Sequence, residues 1–110
     1  MNTPPHPPKI SGHEVVHLLR EAIAGRLEVR LDDPTNTWRS AYCGLVAFRV
    51  EGWRLQFFND CGCLDYCDRA ESPDGRTGAF DIWFDAGEEP VSLLSDNEQR
   101  ALAELLDDCA

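Results

Sequence analysis

The sequence predicts an α+β fold: an antiparallel four- to five-stranded meander sheet with an N-terminal and a C-terminal helix packed on one face. Three observations predict it. Near each end an S-x-x-E pair, Ser11 with Glu14 and Ser95 with Glu98, precedes an apolar run of helical spacing. Between them, apolar residues recur with period two, broken by turn residues. The 110 residues, 43% of them hydrophobic, suffice for one core without compulsory disulfides.

Residues 1–10 hold four of the seven prolines and little to bury, so they are expected to form a flexible Pro-rich arm before a single domain over 11–110. From Ser11, Val15, Val16, Leu18, Leu19, Ala22 and Ile23 mark one face of a helix ending near Gly25. Leu27, Val29 and Leu31 then alternate with charged residues as a half-buried strand, up to the Asp32-Asp33-Pro34 break. Next comes a hairpin. Val46, Phe48 and Val50 lead into Glu51-Gly52, and Trp53, Leu55 and Phe57 lead out. A two-residue turn pairs Val50 with Trp53, Phe48 with Leu55 and Val46 with Phe57, and brings Arg49 beside Arg54 on the opposite face. Leu64 and Tyr66 predict a third strand, Ser72-Pro73-Asp74-Gly75 a type I turn, and Phe80, Ile82 and Phe84 a returning strand. The last helix runs to about Asp108 and buries Ala101, Leu102, Leu105 and Leu106.

In this register the sheet face away from the helices carries Leu45, Ala47, Phe58 and Trp83. Apolar groups there call for a cover, from the chain's own loops or from another molecule, a second copy included.

Charge narrows the partners. Residues 1–60 carry seven basic and seven acidic groups, so the whole net charge of −10 falls within 61–110. Such a field repels nucleic-acid phosphates and anionic lipid, and attracts a basic protein surface. The chain has no apolar run of the roughly 20 residues that span a bilayer, and its start, MNTPPHPPKI, has no hydrophobic stretch. A cytoplasmic protein is therefore expected, with its five cysteines as thiols or metal ligands.

Two constellations have the composition of a metal site. His13-Glu14-Val15-Val16-His17 spells H-E-x-x-H on the first helix, the spacing at which zinc peptidases hold a metal through two imidazoles while the glutamate activates water. Against it, Glu14 already has a capping role, and Arg20 stands where the extended motif has glycine. The second is Cys61, Cys63 and Cys67, with Cys43 brought near Cys61 by the hairpin register. Four sulfurs there would make a structural zinc site, although C-x-C followed by C-x-x-x-C is not the usual paired C-x-x-C. Strand alternation would send Cys63 and Cys67 to one face, and Asp60, Asp65 and Asp68 would oppose thiolate formation.

The run WRLQFFNDCGCLDYCDRAESPDGR resembles an uncharacterised family of small acidic bacterial proteins built around an aromatic strand, Asn-Asp, Leu-Asp-Tyr-Cys and Ser-Pro-Asp-Gly. The likeness spans about half the chain, from the first helix through that turn, and implies no activity. It singles out Asn59, Asp60, Asp65, Tyr66 and Cys67 as a patch at the hairpin end. With no serine elbow and no phosphate-cradling loop, the expected function is a non-catalytic acidic protein-binding module. One form is an inhibitor or immunity-type protein occluding a basic nucleic-acid-handling partner, through Phe58, Asn59, Asp60, Asp65, Tyr66 and Trp83. The alternative is a zinc protein using Cys43, Cys61, Cys63 and Cys67, or His13 and His17.

Overall fold

The computed structural model describes residues 9–109. Five strands, β1 (Val29–Leu31), β2 (Gly44–Val50), β3 (Trp53–Asp60), β4 (Cys63–Glu71) and β5 (Thr77–Ala79), form one antiparallel sheet in chain order, as the meander pattern predicts. The long helices α1 (Gly12–Ile23) and α5 (Asp96–Asp108) pack on one face, with the short α2 (Trp38–Ala41), α3 (Phe80–Asp85) and α4 (Pro90–Leu93) filling the connections. Val15, Leu19, Leu102 and Leu106 from the helices meet Val46, Phe48, Leu55 and Phe57 from the sheet, all at most 1% exposed.

Both helix starts form as their sequences require, with one difference. Ser95 and Glu98 exchange both bonds of a capping box. Ser11 accepts the Glu14 N–H at 3.1 Å, but the Glu14 carboxylate turns to Arg76 Nη1 at 2.9 and 3.1 Å. Residues 1–8 of the expected arm lie outside the described residues. Ile10, assigned to that arm, belongs to the core: it is 2% exposed, and its N–H donates to the Thr77 carbonyl at 3.0 Å.

The hairpin register is the expected one throughout, Val50 opposite Trp53 and Arg49 opposite Arg54. Glu51 and Gly52 have φ of 46° and 84°, the left-handed pair that a two-residue turn demands. The Glu51 carboxylate accepts the Glu28 N–H at 3.2 Å, which anchors this unfavourable turn residue. Two guanidinium groups facing each other would repel. Asp32 bridges them, accepting from Arg49 Nε at 2.6 Å and Arg54 Nε at 3.1 Å, and both hold its carboxyl below the usual range.

Two expectations about the second half are corrected. The β3–β4 ladder shifts register twice, between Gln56 and Phe57 and between Phe58 and Asn59. Each bulge inserts a residue on β4 and resets which side chains face the core, so Leu64, Cys67 and Ala70 point inward at intervals of three and Cys63 and Cys67 do not share a face. The second correction concerns residues 80–85, which form helix α3 rather than a strand. Six apolar-rich residues fit either period. What decides is Trp83, whose indole is 1% exposed, lies over Gly78 where any Cβ would overlap it, and donates to the Ile10 carbonyl at 2.9 Å. Trp83 is therefore a core residue and not part of the open sheet face.

Candidate metal centre

Two loops converge at one end of the sheet. The first leaves α2, whose N-cap Thr37 and Ser40 exchange bonds at 3.0 and 2.9 Å, and turns at Tyr42 with φ 44° to deliver Cys43. The second is the β3–β4 turn, where Cys61 and Gly62 take φ of 53° and 92° between the paired residues Asp60 and Cys63. Asn59 clamps them together. Fully buried, it donates to the Trp38 carbonyl at 2.7 Å and accepts the Gly62 N–H at 2.7 Å, while that N–H also reaches the Tyr42 carbonyl at 3.0 Å.

The clamp brings the sulfurs of Cys43 and Cys61 to 2.8 Å, one thiol donating to the other. An Asp60 carboxylate oxygen completes a set whose three ligand atoms all lie within 4.8 Å of one another, with all three residues exposed. The hydrogen bond to Cys43, then loss of surrounding water, then the neighbouring Cys43 and Asp60 push the Cys61 thiol up to about 11. Held so, Cys61 is a poor nucleophile at neutral pH, and the two sulfurs together make a good chelate, because a soft divalent cation displaces thiol protons. Tyr42 and Gly62, chain neighbours of the two cysteines, also line an open groove of about 430 Å³ that runs to Arg100 and Asp107 on α5.

The remaining sequence candidates separate. Cys63 is exposed but its sulfur lies outside the set, and Cys67 is fully buried on the core side, so four sulfurs do not converge. Burial, and then the nearby Glu89 carboxylate, push the Cys67 thiol well up. Glu89 was not singled out by the sequence. Only 5% exposed, its carboxylate accepts the N–H groups of Cys67, Val91 and Ser92 at 2.8–3.0 Å, capping α4 and tying it to β4. No pattern of spacing signals a glutamate at an N-cap, where Ser, Thr, Asp and Asn are favoured. His13 and His17 are exposed on α1, and neither joins a metal set of three among the described residues. His13 Nε2 stands 3.6 Å from Glu88, and Glu14, the base of the peptidase motif, is engaged by Arg76. Phe58 and Tyr66 stack on the sheet face away from the helices, with Asp65 exposed beside them.

Residues 9–108 match the model of a family described as Domain of unknown function (DUF7693), nearly the whole chain rather than the half that the sequence motifs covered. No curated protein and no solved structure matches. No helix among the described residues is long and apolar enough to cross a membrane.

Proposed function

We propose that this chain, which belongs to the DUF7693 family, is a metal-binding module that holds one divalent ion of the zinc class through Cys43, Cys61 and Asp60. The observation that carries this is the convergence of two sulfurs and a carboxylate oxygen within 4.8 Å, from loops joined by a buried side chain. Two thiolates with an oxygen donor favour zinc over magnesium or calcium, which take oxygen ligands alone. Bond lengths of about 2.3 Å in a tetrahedral site would set the sulfurs about 3.8 Å apart, an opening that two exposed side chains at loop ends allow. The ion would staple the α2–β2 loop to the β3–β4 turn, with its fourth position left to water or a donor from outside. The role proposed for it is that staple, because its three ligands come from two loops.

Titration of the tag-free, fully reduced protein with zinc, and with cobalt(II) as a spectroscopic substitute, tests this directly. One equivalent should bind, with a sulfur-to-cobalt charge-transfer band, and Cys43→Ser or Cys61→Ser should abolish it while Cys63→Ser and His17→Ala leave it intact. Failure to bind an equivalent, or loss of binding in His17→Ala alone, would overturn the assignment.

A further inference from the structure

The sheet face turned away from the helices carries a ladder of rings. Phe58 and Tyr66 are direct partners across β3 and β4, with centroids 5.2 Å apart and planes 13° from parallel. Tyr66 meets Phe80 at 4.4 Å, and Phe80 meets Phe84, one turn along α3, at 5.4 Å. None of the four belongs to the buried core cluster. Leu45, the partner of Phe58 across β2 and β3, extends the surface at one end. Phe84 is 65% exposed and Leu45 39%. A contiguous apolar strip of this kind marks an interaction site.

The charges around it say what fits. Asp65 and Asp68 flank Tyr66 closely enough to push its phenol up, behind the larger effect of burial. Asp81 and Asp85 are exposed on the same helix as Phe80 and Phe84, and Asp60 follows Phe58 on β3. None of these five carboxylates is in an ion pair among the described residues. The basic groups nearby already have carboxylate partners, Arg49 and Arg54 sharing Asp32 and Arg69 meeting Glu71. A second copy would bring five more carboxylates against these, which disfavours self-pairing through this face. Nucleic acid and anionic lipid meet the same repulsion.

We propose that the ladder from Phe58 to Phe84 is a docking surface for a basic protein segment that lays arginine side chains, alternating with apolar ones, across the rings. Guanidinium planes stack on aromatic faces and bond to carboxylates at the rim, so this surface offers both halves of what arginine binds best. Of the five carboxylates only Asp60 is shared with the metal centre, and the proposal stands on the other four.

Fluorescence anisotropy with a labelled peptide alternating arginine and leucine, and with the same peptide carrying glutamate for arginine, provides the test. Binding of the arginine peptide alone is expected, weakening with added salt. Phe84→Ala and Leu45→Thr, both at exposed positions where the fold should survive, should each weaken it about tenfold, the scale of one lost interface contact. Asp81→Asn with Asp85→Asn should also weaken it, whereas Glu104→Gln with Asp108→Asn on α5, across the sheet, should not. Equal weakening by both acidic pairs would reduce the effect to unspecific attraction and overturn the proposal, as would unchanged affinity in Phe84→Ala and Leu45→Thr. A dimeric solution mass that Phe84→Ala converts to a monomer would assign the face to a second copy instead.

Discussion

The side-chain amide of Asn59 donates to the Trp38 carbonyl at 2.7 Å, joining the end of β3 to a helix 21 residues earlier. With the Gly62 N–H on its oxygen and no exposed surface, Asn59 has no water to substitute for either partner. The loops that carry Cys43 and Cys61 are thus joined by this buried side chain, alongside the direct bond from the Gly62 N–H to the Tyr42 carbonyl.

Asn59→Ala should destabilise the protein by about 1–3 kcal/mol, the cost of stranding a buried polar group. It should also weaken cobalt binding at least tenfold, since the sulfurs lose their common anchor. Urea denaturation and metal titration of the same variant check both, and an unchanged value of either would show that the clamp does not hold the site.

Zinc should raise the unfolding free energy of the reduced protein, by about 2.7 kcal/mol at a free concentration a hundred times Kd. In Cys61→Ser the gain should vanish. Thermal unfolding with and without a chelator measures it, and equal stabilisation of both proteins would place the ion elsewhere.

Glu98 receives Arg20 Nε at 2.8 Å, and this bond, with the Ser95 N–H next in weight, holds its carboxyl at about 2, below its ordinary value of 4.5. A depressed carboxyl stabilises the fold fully above the ordinary value and loses that contribution as pH falls from 4.5 towards 2. Glu98→Gln should therefore flatten the loss of thermal stability across this window, and leave the slope above pH 5 unaltered. The pair is exposed, so the expected change is small. A steeper acid slope in the variant would contradict the assignment.

Trp83→Ala should cost about 3–5 kcal/mol, as expected for emptying a large buried ring site. Trp83→Phe, which keeps a ring over Gly78 and strands only the Ile10 carbonyl, should cost about 1–3 kcal/mol. Denaturation followed by circular dichroism separates the two, and equal costs would mean that the indole N–H, not the ring, anchors α3.

Cys67 should resist thiol reagents in the native state and react only on unfolding, while the exposed Cys63 is open to them. Mass mapping after brief alkylation reads this residue by residue. Rapid labelling of Cys67 would show that β4 opens locally.

Local pattern made much of the fold legible. Capping pairs at Ser11 and Ser95 located both long helices, and the alternation through Glu51-Gly52 set the hairpin register to the residue, because a slip by one would have turned Phe48 and Leu55 to water. Of the candidate centre, that register showed Cys43 approaching Cys61. The bulges in β4 were hidden, since an inserted residue leaves no mark on composition, and with them the separation of Cys63 from Cys67. The aromatic face was expected too, but with Trp83 in the place that Tyr66, Phe80 and Phe84 take.

What the sequence determined by itself is whatever neighbouring residues decide among themselves: helix starts, strand period, tight turns and the split in charge between the two halves. Only the tertiary structure decided how Asn59 would bind Trp38, where Arg76 would draw Glu14, and that residues 80–85 would coil so as to bring Trp83 over Gly78. The physical reason is range. Hydrogen bonds and ring contacts act over a few ångströms between residues far apart in the chain, and only the packed core sets which of them meet.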